Sequence, residues 1–158
     1  MKKVLKILGR IFLGFIALII AFLLILCVIN AIMMSKEKKY FEEPLVGQFV
    51  EVDGHKMNVY VAGEGEHTLV FLAGSGATCP AIFDQPFAER FTKDYRIVII
   101  EKFGYGFSDA FDGSRDIETR VDQNRKALQA AGVEGPYVLC PHSYSGLEAI
   151  YWAQTHSD

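Results

Sequence analysis

The sequence predicts an α/β protein with one transmembrane helix ahead of it. The soluble part is expected to open with a β-hairpin and continue as a mostly parallel sheet with flanking helices. Three observations carry this. Ile11 to Met34 contains no charged residue. Two strand-like runs meet at Asp53-Gly54-His55, a hairpin turn signal. Beyond them, short apolar runs alternate with segments of helical spacing, the pattern of a parallel sheet with crossover helices. A chain of 158 residues suits one such domain. Net charge is −3 and no basic stretch is interleaved with aromatics, which argues against a nucleic-acid partner.

The apolar run comes first. About 24 helical residues span about 36 Å, more than the roughly 30 Å of a hydrocarbon core. A cleaved signal peptide would have an apolar region of about 7–15 residues and a small-x-small site. This run is longer, and the residues around Asn30 and Ala31 make a poor site. Leu26 stands before Cys27 where lipid attachment needs a small residue. The lipid bilayer is therefore an expected partner, through Ile11–Met34. Lys2, Lys3, Lys6 and Arg10 precede the span, whereas Lys36, Lys38 and Lys39 after it are partly offset by Glu37. The positive-inside rule then places the N-terminus in the cytoplasm and the soluble domain on the outer face. The expected division is 1–34 for the basic flank and span, 35–45 for a juxtamembrane tether, and 46–158 for the domain.

The remaining elements follow in order. Val46–Val52 and Lys56–Val61 read as the hairpin strands. In the second, Met57, Val59 and Val61 alternate with Asn58 and Tyr60, as in a strand with one wet face. Thr68–Ala73 is a continuous apolar run, expected of a strand buried on both faces, and ends in Gly74-Ser75-Gly76. A helix is expected over about Ala81–Phe91 and the next buried strand over Tyr95–Glu101. Gly104 to Asp109 is a loop. Ile117–Ala130 is a helix, with Gly132 just past its end as a cap. Pro136–Cys140 is a third buried strand, and Gly146–Gln154 a helix that buries Leu147, Ile150, Tyr151 and Trp152. Cys27, Cys79 and Cys140 are far apart and not at metal-ligand spacing, so they read as small buried hydrophobes. No metal or other cofactor is expected.

Four motifs stand in one order: Val52-Asp53-Gly54-His55, Leu72-Ala73-Gly74-Ser75, Gly104-Tyr105-Gly106-Phe107-Ser108-Asp109, and His142-Ser143-Tyr144-Ser145-Gly146. Together they resemble the N-terminal half of an α/β-hydrolase of the proline iminopeptidase type, over roughly residues 46–158. The departures are Ala73 where the family usually has histidine, and Pro141 and Ser145 where glycines flank its serine.

The resemblance implies roles. Ser143 would be the nucleophile, lifted on a strand–turn–helix junction. The backbone N–H groups of Ser75 and Tyr144 would form the oxyanion hole. Gly74, His142 and Gly146 would support the turns. Taken from the residues alone, Ser143 also reads as a helix cap and Gly74-Ser75-Gly76 as an ordinary turn. No lysine follows that turn at Walker spacing, which argues against a phosphate loop. In this fold the acid and the histidine follow the serine in chain order, so both are expected beyond Asp158. His55, His67, His142 and His156 are not expected to be the base. Glu101 and Asp109 read as structural or solvated. Tyr105, Phe107 and Phe111 fit either a substrate cleft or plain packing. A serine rather than an aspartate at 143 favours ester or amide cleavage through an acyl-enzyme. The expected function is thus a membrane-anchored serine hydrolase acting on a small molecule or peptide, inactive or nearly so as this chain alone. A complementing C-terminal half is a further expected partner. The alternative is an anchored, non-catalytic binding or structural module on a degenerate hydrolase fold.

Overall fold

The computed structural model of the protein describes residues 2–156. Met1, Ser157 and Asp158, the last two at the end of the expected 46–158 domain, lie outside the described residues, as do the side chains of Lys2, Leu5, Lys38 and Lys39. The chain divides into two compact units, Met1–Glu42 and Glu43–Asp158.

The first unit is the helix α1, Lys2–Glu37, followed by a 3-10 turn at Lys38–Phe41. Its segment Lys6–Glu37 is long and apolar enough to cross a bilayer, and no part of its most apolar stretch is buried within the chain. A signal sequence would satisfy the same description. The helix runs three residues past Met34 into the expected tether, because Ser35-Lys36-Glu37 offers no glycine or proline to stop it.

The second unit runs β1 (Gln48–Val52), β2 (His55–Ala62), β3 (His67–Leu72), α2 (Pro80–Ala88), β4 (Tyr95–Glu101), α3 (Ile117–Ala130), β5 (Tyr137–Pro141) and α4 (Ser145–Thr155). The sheet order is β1-β2-β4-β3-β5. The hairpin strands pair antiparallel, and β2 pairs antiparallel with β4; β4, β3 and β5 are mutually parallel. Val52 faces His55 across a two-residue turn in which Asp53 has φ 51° and Gly54 φ 80°. Positive φ at both positions is what a type I′ hairpin demands, and Asp-Gly supplies it at low cost.

Alternating side chains of the sheet feed two cores. Met57, Val59, Val70, Leu72, Val98 and Ile100 pack with Val121, Leu128 and Trp152 of α3 and α4. Ile97 and Ile99 point the other way, with Leu69, Phe71 and Tyr60, toward Ala88 of α2 and Phe91. Both faces of β2 are therefore covered, and the wet face expected at Asn58 does not exist: Asn58 is fully buried and its side-chain amide bonds Val46 O and Glu101. The helix expected through Phe91 ends at Ala88 and tightens into a 3-10 turn at Glu89–Phe91. Asp116 caps α3 by accepting from Thr119 N–H at 2.7 Å, and Gly132, with φ 70°, follows its end.

Two expectations about burial fail at one place. Trp152 is buried, but Leu147 and Ile150 are 50% and 57% exposed, and Val138 of β5 is 49% exposed. The cause is topological. β5 is an edge strand with β3 as its one neighbour, so the outer side of β5 and α4 has no described element against it. The cysteines are not buried hydrophobes either: Cys27 is exposed on α1, and Cys79 and Cys140 are half-buried.

Candidate active site

β5 ends at Pro141, which pairs with Leu72 and has no N–H to extend the ladder. α4 starts four residues later, at Ser145. Between them Ser143 has φ 55° and an exposed side chain. A non-glycine residue in this region costs on the order of 1–3 kcal/mol and persists only where its surroundings fix it. They do so here. His142 N–H donates to Leu72 O at 3.0 Å, Gly146 N–H to Ser143 O at 3.0 Å, and Leu147 N–H to Tyr144 O at 3.1 Å.

Ser145 adds the strongest tie. It is fully buried. Its hydroxyl accepts from His142 N–H at 2.9 Å and has Leu72 O at 2.6 Å and His142 O at 2.9 Å as acceptors for its one proton. The serine that stands where a glycine is usual is thus more than a small spacer; it fastens the turn to the end of β3. Sequence spacing could not show this, because the partner lies 73 residues away.

Gly74 lies against the turn from the β3 side. A Cβ there would sit 2.9 Å from His142 Nδ1 and 3.0 Å from Ser143 Cβ, so no larger residue fits without moving the turn. Ser75 follows, exposed. The structure therefore brings Gly74, His142, Ser143 and Ser145 into contact, with Tyr144 and Ser75 on the two adjoining segments. Ser143 Oγ makes no hydrogen bond to a histidine or carboxylate among the described residues. Burial pushes the carboxyl of Asp84 on α2 up, with His142 acting against that.

Two buried acids lie beneath: Glu101, which reads from the sequence as structural or solvated, and Glu148, which sequence reasoning did not single out. Glu101 Oε2 accepts from Asn58 Nδ2 at 2.9 Å and Phe107 N–H at 2.8 Å. Its Oε1 accepts from Ala81 N–H at 3.1 Å and the Cys79 thiol at 3.3 Å. One carboxyl group thereby holds β2, the start of α2 and the Gly104–Asp109 loop, the structural reading of that residue. Burial, and then Glu101, push the Cys79 thiol up to about 11. Glu148 of α4 is also fully buried; it pairs with Lys102 Nζ at 2.6 Å and Arg120 Nη1 at 3.4 Å. Lys102 Nζ donates as well to Ala73 O at 2.9 Å. The signal in the sequence would have been a lone glutamate among the apolar residues of α4.

The other histidines stand apart. His67 opens β3, at the end of the parallel strands opposite the turn. His55 is on β2, three strand spacings from β5, or about 14 Å. Its ring meets those of Phe103 and Phe111 edge-on at 5.7 and 5.6 Å. Phe107 is buried, and Phe111, only partly buried, stacks on Phe103. Tyr105 lines a cavity of about 30 Å³ with Lys102, Phe111, Arg115 and Arg120. An open apolar groove of about 670 Å³ runs along β5 and α4 past Leu139, Ile150 and Trp152. Among the described residues no group of three or more His, Cys, Asp or Glu could hold a metal ion.

No protein-family model matches the chain. It is 38% identical over 156 residues to the uncharacterised protein YbdG of Bacillus subtilis (strain 168), an alignment that covers 99% of this chain and 47% of that one. Over 70 residues it is 31% identical to the cis-3-alkyl-4-alkyloxetan-2-one decarboxylase of Xanthomonas campestris pv. campestris, covering 39% of this chain and 23% of that one. Among solved structures it superposes on Est816, an N-acyl homoserine lactone degrading enzyme, with a TM-score of 0.61 and 27% identity, over 69% of this chain and 40% of that one. The esterase EaEST of Exiguobacterium antarcticum gives 0.60 and 26%, over 70% and 41%. The chain spans less than half the length of each of these relatives. Five mixed strands in this order, a strained serine at the strand–helix junction and these likenesses lead to one assignment: the chain carries part of an α/β-hydrolase fold, is related to esterases, and is a homologue of YbdG.

Proposed function

We propose that the chain supplies the nucleophile and the oxyanion donors of a serine hydrolase that cleaves esters or amides through an acyl-enzyme. The observation that carries this is Ser143, exposed at φ 55° between β5 and α4. The adjacent helix N-terminus adds positive potential where an oxyanion would form. The N–H groups of Tyr144 and Ser75 are the donors in this reading, with Gly74, His142 and Gly146 shaping the turns. Esters are favoured over amides by one solved neighbour, which is named an esterase. The acid and base come from polypeptide that pairs with the open side of β5, where Val138 and the groove beside Ile150 offer apolar surface. α1 anchors the unit in the bilayer with the N-terminus in the cytoplasm and the hydrolase unit on the outer face, joined by residues 35–45. The absence of a base at Ser143 among the described residues favours a second reading, an anchored binding module without catalysis.

A fluorophosphonate probe on the full chain in detergent micelles separates these. The expected result is slow phosphonylation of Ser143, well above that of the exposed Ser114 in the same chain and abolished in S143A. Equal rates at Ser143 and Ser114 overturn the nucleophile in favour of the binding module. Complete labelling within minutes at neutral pH overturns the need for an outside base.

A further inference from the structure

We propose that Lys102 is a positioning residue for the oxyanion hole. The inference rests on the hydrolase reading above. The two backbone donors of that reading belong to separate pieces of chain. Ser75 follows the end of β3, and Tyr144 precedes α4. Oxyanion stabilisation depends on the distance between such donors, so something must fix one piece against the other.

Lys102 touches both. It follows β4 directly and is 7% exposed. Its Nζ donates at 2.9 Å to the carbonyl of Ala73, the residue before Gly74-Ser75. The same nitrogen pairs at 2.6 Å with Glu148 in the first turn of α4. Glu148 is held in turn by Arg120, whose guanidinium carbon lies 5.3 Å from the centroid of the Tyr144 ring. An ammonium carries both donors and a charge and can therefore hold both pieces at once, Ala73 by a hydrogen bond and Glu148 by an ion pair. Burial pushes the Lys102 amine down, while Glu148 beside it acts the other way and favours the charged, donating form. The position also accounts for Ala73. Its own side chain has nothing with which to brace the turn, and the brace arrives from β4, through the backbone carbonyl that every residue has.

The test is Lys102→Met in the full chain in micelles, read in two ways. With the fluorophosphonate probe, K102M is expected to lower the saturating rate of Ser143 labelling about 10- to 100-fold, the scale of a misplaced donor. The half-saturating probe concentration should stay within about twofold, and Lys102→Arg should recover part of the rate. A fall in labelled amplitude with an unchanged saturating rate would overturn the proposal in favour of a purely structural lysine. The second readout does not need Ser143 to react. The backbone amide resonances of Ser75 and Tyr144 should both move in K102M, while those of the Asp53 hairpin stay. Unmoved Ser75 and Tyr144 amides would overturn the proposal even if Ser143 proves a nucleophile. If Ser143 labels no faster than Ser114, the hydrolase reading falls, and with it the oxyanion role. Should K102M not fold, Glu148→Gln keeps the side-chain volume, removes the charge that holds Nζ, and answers to the same two measurements.

Discussion

Replacing Glu101 by glutamine changes one atom, and the geometry dictates what it costs. Each carboxyl oxygen accepts two hydrogen bonds: Oε1 from Ala81 N–H and the Cys79 thiol, Oε2 from Phe107 N–H and the Asn58 amide. Glutamine keeps one oxygen and puts an NH₂ at the other. Two donors then face a donor in a site with no solvent exposure. The cheaper arrangement sacrifices Oε1, since a thiol is a weak donor. A stranded buried donor costs about 1–3 kcal/mol, so E101Q should lose about 2–4 kcal/mol. At about 4 °C per kcal/mol for a unit of this size, the melting temperature falls by about 8–16 °C. The assay is thermal unfolding of the full chain in micelles, followed by near-UV circular dichroism from the buried Trp152. Glu101→Ala strands all four donors and should melt lower still. Asp109→Asn, at an exposed site with one bond from Lys56 N–H, should shift by no more than about 1 kcal/mol. If E101Q melts within about 2 °C of the parent, the carboxyl group is not what holds these segments together.

Two further predictions concern neighbouring side chains. Ser145→Gly restores the glycine usual at that position and should nonetheless destabilise the chain by about 1–2 kcal/mol, through the lost hydroxyl bonds and the added backbone freedom; an unchanged melting temperature would show that Ser145 is only a spacer. Cys79 has its thiol pushed from 9.0 up to about 11. The protonated form is the one the fold favours, so its contribution to stability is complete below about 9 and is lost as pH rises through about 11. Site-resolved alkylation by iodoacetamide should accordingly reach half its limiting rate near the upper value in folded chain and near the lower one in urea; equal profiles would refute the burial argument.

Much of the fold could be read from the residues. Alternation and turn chemistry located every strand of the sheet, because the hairpin signal at Asp53-Gly54 and the apolar runs are local properties. Ser143 could be singled out for the same reason: strand, turn and helix follow one another in the chain. What the sequence hid was long-range. Asn58 looks like a wet-face residue until Glu101 is placed opposite it. Ser145 looks like a substitute for glycine until Leu72 O is found above it. Leu147 and Ile150 have helical spacing that implies a covered face, but a spacing pattern does not say which element provides the cover. Lys102 is an ordinary basic residue after a strand until Ala73 and Glu148 converge on its amine.

The strand order sets a sequence of events in time. β3 takes both of its neighbours, β4 and β5, from later in the chain, and β5 is joined to the sheet by β3 alone, Thr68 pairing with Tyr137. Closing a segment of that length costs about 4 kcal/mol of chain entropy before the contact repays it. The β1–β2 hairpin needs no such closure. In pulse-labelling hydrogen exchange during refolding, hairpin amides such as those of Val50 and Met57 should be protected before those of His142 and Ser145; the reverse order would contradict this. Gly74 and Ser143 meet only once β5 has docked, so the turn that holds the strained serine takes shape after the hairpin. A chain caught midway through synthesis or refolding would hold a formed hairpin and no site, and whatever reactivity Ser143 has would stay latent until the rest of the sheet vouches for it.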